Sequence, residues 1–379
     1  MDRVVASFVE MVQIDSESGD EAAFLSYLSE RLARDLGADC TFDGYGNLIA
    51  RVPGKRTRTD RPILFGVHGD TVKPGRGIRP TIEDGVIRSA GETILGADDK
   101  AGIAELVEAA LTADRRPPLE IVVTREEELG ARGARHLDVS SLQSRIGFIV
   151  DMDALDAVVI GGPSKMSIDV EITGRAAHAA MEPEKGISAV RVAAYAIVEL
   201  EEGRVGEGTT VNVGVVRGGE IRNGVPEKAL AQLECRSLSH EVCLEQERHI
   251  REVFQRAASS HGAVVSFSTE LSYRASRVPD GSPAIALAAA AIESVGLTPD
   301  LRTIVGGTDA SILNERGIET VVLGAGMRNE HSTNEEMDVA SMERAVGILR
   351  HLLEHSDSPR RRARASSGDS ALRYTNNGC

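Results

Sequence analysis

Tryptophan is absent from the 379-residue chain, and aromatic residues make up only 3 % of it, so stacking platforms for bases or sugars have little to be built from. Cysteine is scarce too. The four, Cys40, Cys235, Cys243 and Cys379, lie far apart and form no Cys-x-x-Cys pair, which argues against a thiolate zinc site and a disulfide framework alike and leaves reduced structural thiols. Positive charge is in deficit. The chain sets 43 Lys and Arg against 58 Asp and Glu, a formal charge of -15, and this opposes attraction to phosphate backbones. No apolar run approaches the roughly 18 residues of a membrane span. The opening MDRVVASFVEMVQIDSESGDE reads as an acidic amphipathic helix without the basic, apolar and cleavable sections of an export signal. The expectation is a cytoplasmic protein with neither nucleic acid nor membrane as partner. The basic stretch Arg360 to Arg364 (RRRAR) is the one candidate for such a surface, and in a polar tail on an acidic body it reads as a solvated terminus.

The length suits two domains better than one or three. From Pro62 onward short continuous apolar runs (PILFGV, LEIVVT, IGFIV) alternate with helical patterns such as AGIAELVEAALTA. Continuous apolarity means strands buried on both faces, and alternation with helices means an α/β fold with a mostly parallel sheet. Between about Pro163 and Ser276 the order becomes β-α-β-β-α-β, that of a ferredoxin-like α+β sandwich. The expected division is a discontinuous first domain over 1–163 and 277–356, an inserted domain over 164–276, and a disordered polar tail over 357–379.

Candidate chemistry collects at or just beyond the carboxyl ends of the apolar runs, where open α/β sheets place their binding crevice. His68 ends PILFGV and is followed by Asp70. Asp98 and Asp99 lie between a Gly-rich loop and a helix, Glu126, Glu127 and Glu128 follow LEIVVT, Asp151 follows IGFIV, and His331 comes a short loop after TVVLGAG. Imidazole with carboxylate is a ligand set that zinc, cobalt or manganese accepts, and one carboxylate can bridge two cations about 3.5 to 4 Å apart. Asp98 suits the bridge, and Asp70, two residues after a ligating His, suits support of the second ring nitrogen of His68. On the loop after the strand Glu128 can bind metal while Glu127 accepts a proton from water. Taken singly, carboxylate pairs serve as solvated faces or helix caps. Their recurrence at strand ends, in a chain with only 9 His, is what points to a metal site.

The blocks GVHGDTV, LGADDKAG, TREEELG, IVDMD and NEHSTNEEM, in this order, together with GGTDAS, resemble the signature of the peptidase family M20 metallohydrolases, in particular its peptidase T branch. The resemblance runs from Met1 to about His355. It implies two divalent metal ions, zinc first with cobalt or manganese as alternatives, one held by His68 and Asp151, the other by Glu128 and His331, with Asp98 bridging. It makes Glu127 the catalytic base and Asp70 the His68 partner, and implies a cis Asp98–Asp99 peptide. The inserted domain is then a lid and homodimerisation domain in which His178, Asn223 and Arg236 bind substrate. An Asp at 151 is similar to aminopeptidases and dipeptidases of the family, so the reading is a metal-dependent exopeptidase of short peptides, aminopeptidase- or tripeptidase-like. Glu126 departs from the Asp many relatives carry. Two alternatives remain: an N-acyl amino acid amidohydrolase or carboxypeptidase of the same family, and a catalytically silent binding protein.

Overall fold

The computed structural model describes residues 2–356 and the short strand Arg373–Thr375. Among the described residues the chain divides into two compact units: one formed by Asp2–Gly161, Arg277–Thr303 and Thr308–Ser356, the other by Gly162–Ser276 with Ile304–Gly307. That last short segment, which the sequence reading assigns to the first unit, joins the second because Gly307 lies so close to the Tyr273 ring that a Cβ would overlap it. The tail from Asp357 falls outside the described residues, apart from Arg373–Thr375, which pair in parallel with Asp300–Thr303.

The first unit is built on a mixed, largely parallel sheet. Its strands run in the order Asp39–Phe42, Leu48–Val52, Leu119–Thr124, Ile63–His68, Ile146–Val150, Glu319–Leu323, Ala157–Gly162, Asp300–Thr303. Ile63–His68 and Leu119–Thr124 are buried along their whole length, as continuous apolar runs covered on both faces should be. The helices Arg3–Val12, Ala97–Thr112, Pro283–Ser294 and Val339–His355 pack on one another and share one core with the sheet. A small antiparallel sheet of Pro80–Glu83, Val86–Ser89, Met327–Arg328 and Glu336–Asp338 lies outside the sequence expectation.

In the second unit five antiparallel strands run in the order Gly203–Gly206, Thr209–Gly218, Lys228–Ser237, Ser164–Thr173, Val264–Tyr273. The last four reproduce the ferredoxin-like arrangement, and Gly203–Gly206 adds an edge strand that the sequence reading omits. Residues alternate between buried and partly exposed along Ser164–Thr173 and Lys228–Ser237, because helices Ala189–Glu199 and His240–His261 cover one face only. Each helix begins on a serine, Ser188 and Ser239, whose side chain accepts from a first-turn N–H. Among the described residues no helix is long and apolar enough to cross a membrane.

Candidate metal centre

Four parallel strands of the first unit end side by side. His68 pairs with Thr124, Gly66 with Ile149, and Val150 with Leu323, so the segments that follow open at one edge of the sheet. His68, Asp98, Glu128, Asp151 and His331 all belong to this unit. His68 is buried, and its Nε2 stands 2.9 Å from Asp98 Oδ1 and 3.7 Å from Asp151 Oδ1. From the far side His331 Nε2 lies 3.2 Å from Asp98 Oδ2 and 3.0 Å from Glu128 Oε2. Each oxygen of Asp98 thus faces a different imidazole. The Asp98–Asp99 peptide is cis, and both residues depart from helical dihedrals at the start of helix Ala97–Thr112.

The electrostatics follow from crowding. Burial alone would depress His68, but the hydrogen-bonding carboxylates of Asp151, Asp70 and Asp98 overrule it and hold the ring well above its usual value. Hydrogen bonds that the His331 ring donates to Asp98 and Glu128 push it up to about 11. Asp98 is lowered despite burial, because His331 and His68 both donate to it. Asp151 is pushed up to about 7, first by burial and then by the Asp98 charge. Burial, followed by the charges of Asp309 and Asp151, raises Glu127 well above the usual range.

Carboxylates in this arrangement favour positive charge between them, and divalent cations supply more of it than protons can. Donor atoms of His68, Asp98 and Glu128 lie within 4.8 Å of one another, as do those of His68, Asp99 and Asp151. Glu128 Oε1 is buried without a partner, a free ligand atom beside the cluster. Imidazole and carboxylate are the donors that zinc, cobalt and manganese take, so the residues fit a pair of such ions. Asp99 is better placed as a support than as a ligand, since its Oδ2 accepts from the His68 N–H at 3.1 Å.

Asp70 does more than the sequence assigns to it. The His68 Nδ1 is nearer the Asp70 backbone oxygen, at 3.0 Å, than its carboxylate, at 3.4 Å. That carboxylate also accepts from Ser18 Oγ at 2.7 Å, from the Glu127 N–H at 2.9 Å and from the Glu128 N–H at 3.3 Å. It thereby aims both glutamates. Glu126 takes φ +50° at the start of this turn, and its side chain accepts from Tyr45 Oη at 2.7 Å, pointing away from the ligand set.

Sequence reasoning passed over three residues. Ser18 and Glu335 reach the site only through the fold. Glu335 is 2 % exposed and accepts from the N–H groups of Leu95, Gly96 and Asp98. The third, Asp309 in GGTDAS, is buried and accepts from Thr124 Oγ1, while its other oxygen has no partner. Both motifs were visible as resemblance, but no spacing in them assigns these side chains a role.

His178, Asn223 and Arg236 belong to the second unit. The structure brings the first two together: His178 pairs with Gly224, and the Ala179 N–H donates to the Asn223 oxygen at 3.0 Å. The His178 Nδ1 accepts from the Ala180 and Met181 N–H groups. Arg236 is held by both oxygens of Glu234, at 2.8 and 3.2 Å, and reaches Val305 O at 3.4 Å.

The model of peptidase family M20/M25/M40 matches residues 64–355. The structure resembles aminopeptidase PepT from Bacillus cereus ATCC 10987 with 34 % identity and a TM-score of 0.84, covering 94 % of this chain and 98 % of that one. It also resembles a tripeptidase from Staphylococcus aureus subsp. aureus Mu50, with 32 % identity, a TM-score of 0.88 and the same coverage. A Bacillus subtilis (strain 168) protein, the uncharacterized YqjE, is 34 % identical over 93 % of this chain and 98 % of its own length.

Proposed function

Given that the chain belongs to peptidase family M20/M25/M40, in its peptidase T-like branch, and is therefore a hydrolase of peptide bonds, we propose that it is a metal-dependent exopeptidase releasing residues from the amino end of short peptides. The observation that carries this reading is the pair of imidazoles facing the two oxygens of one buried carboxylate. His68 and Asp151 would hold one cation, Glu128 and His331 the other, and Asp98 both. When bound, such a pair supplies Lewis-acid activation of water and of the scissile carbonyl.

The remaining work falls to side chains. Glu127 accepts the proton of the attacking water and returns it to the leaving amine nitrogen, and its raised proton affinity suits both transfers. Because the His178 Nδ1 lone pair is taken by two backbone N–H groups, the ring proton of the neutral imidazole sits on Nε2, which suits donation to a developing oxyanion. Asn223, beside it, would hold the peptide backbone. Arg236 would take a substrate carboxylate with the guanidinium hydrogens that Glu234 leaves free. An Asp at 151 supports the amino-end reading over the acyl amino acid one. Homodimerisation through the second unit is supported by helix Ala189–Glu199, where Val190, Tyr195 and Val198 are exposed, an apolar face of the kind a partner covers.

Side-by-side assays of tripeptides, dipeptides and N-acetyl amino acids, with zinc, cobalt or manganese added and metal content measured, test the proposal. Tripeptides should be the best substrates. Glu127→Gln should keep its metals and lose about 10²- to 10⁴-fold in kcat, and full turnover by a metal-loaded Glu127→Gln would sink the base assignment.

A further inference from the structure

We propose that Glu335 is a positioning residue for the metal pair, fixing the shared ligand Asp98 through its backbone while His331, in the same turn, engages its side chain. The inference rests on the reading of Asp98 as the ligand common to both ions. Glu335 is 2 % exposed. Its Oε2 accepts from the Leu95 N–H at 2.8 Å and the Gly96 N–H at 2.7 Å, and its Oε1 accepts from the Asp98 N–H at 3.0 Å. Gly96 has φ +72°, a left-handed conformation that glycine adopts without steric cost and that helps successive N–H groups converge on one anion.

The other end of the device is the turn from His331 to Glu335. His331 itself has φ +59°, and the Glu335 N–H donates to the Ser332 oxygen at 3.1 Å, so the segment is compact. Its first residue reaches Asp98 Oδ2 at 3.2 Å, and its last reaches the Asp98 N–H. One short turn therefore grips Asp98 twice, and the separation of Asp98 from His331 is fixed by Glu335 together with the turn. The plainer alternative is that Glu335 only caps helix Ala97–Thr112, whose own N-cap residue makes no side-chain bond. Such a cap would contribute to stability and leave metal affinity alone.

Glu335→Gln separates the two. An amide replaces one acceptor oxygen by a donor, so at least one of the three N–H groups loses its partner. Titration of the metal-free protein with zinc should show affinity falling about 10- to 100-fold, and the visible spectrum of the cobalt-loaded protein should shift as the ligand geometry changes. Glu336→Gln is the control, since its carboxylate pairs with Arg88 and Arg328, and both readouts should match the wild type. Unchanged affinity and spectrum in Glu335→Gln, with only a lower melting temperature of the metal-free form, would overturn the proposal. If Glu335→Gln does not fold, Glu335→Asp, which keeps the charge on a shorter arm, is measured instead. Failure of both to fold marks a folding role and also overturns it. A wild-type protein that binds no zinc refutes the underlying metal reading.

Discussion

At Asp70 one carboxylate accepts from Ser18, Glu127 and Glu128 while standing beside the His68 ring. Asp70→Asn keeps the shape but turns one acceptor into a donor, and the Ser18 hydroxyl can rotate to accept from it where the Glu128 N–H cannot. Metal affinity or kcat should fall about 10- to 100-fold, as for other groups that orient ligands, with little change in melting temperature. Glu105 is the contrasting case. It is fully buried on helix Ala97–Thr112 with both oxygens unpartnered, and burial alone raises it well above its ordinary 4.5. Because the folded state holds this proton more tightly than the unfolded chain, its stability is greatest below the unfolded value and falls as pH rises toward the folded one. Glu105→Gln removes that dependence. The variant should match the wild type in the free energy of urea unfolding near pH 4.5 and exceed it at pH 8 by about 1–3 kcal/mol, the cost of a buried unsatisfied group. A gap that does not widen with pH would exclude this account of Glu105.

Helix Ala97–Thr112 carries Asp98 at its start, and its seat on the sheet depends on Gly102. A Cβ there would run into Asp99 Oδ1 and the Val150 backbone oxygen, the residue before Asp151. Glycine inside a helix ordinarily costs about 1 kcal/mol relative to alanine; here the sign should reverse. Gly102→Ala should lower the melting temperature and weaken metal binding together, since it pushes the Asp98 and Asp151 segments apart. How far such elements could be read from sequence depended on burial. Ile63–His68 and Leu119–Thr124 announce themselves as unbroken apolar runs because both faces are covered. Pro80–Glu83, mostly exposed, and Gly203–Gly206, an exposed edge, carry no such pattern and went unread. The site divides in the same way. His68, Glu127 and Asp151 sit where a strand visibly ends, whereas Glu335 lies in the polar run NEEM and acquires its role only when the fold sets it against the Leu95–Asp98 loop.

The centre as a whole concentrates charge in one unit: Asp70, Asp98, Asp99, Glu127, Glu128, Asp151, Asp309 and Glu335 gather with His68 and His331, all outside the second unit. Chelation should therefore destabilise the two units unequally. Cations that bind only the folded state at about 1,000 times their Kd add about 4 kcal/mol, so removal with EDTA should lower the melting temperature and zinc should restore it. The pH dependence has a definite sign. Burial raises Asp151 to about 7, Asp309 to about 6 and Glu335 to about 7, so in the chelated protein the stability these groups contribute is complete below about pH 4 and is lost as pH rises to 7. His331, raised to about 11, adds a loss that begins above its ordinary 6.5 and continues toward 11. Asp98, lowered, contributes fully above its ordinary value and does not oppose the trend in this window. Cation binding displaces these protons and is favoured at higher pH. The gain in melting temperature on adding zinc should thus widen steadily from pH 5 to pH 8. Hydrogen exchange locates the effect: amides of Ile63–His68 should lose protection on chelation while those of Lys228–Ser237, in the separate core of the second unit, keep theirs. A zinc-dependent gain that is constant across this range, or equal loss of protection in both strands, would show that the buried acids are not what the cations hold together.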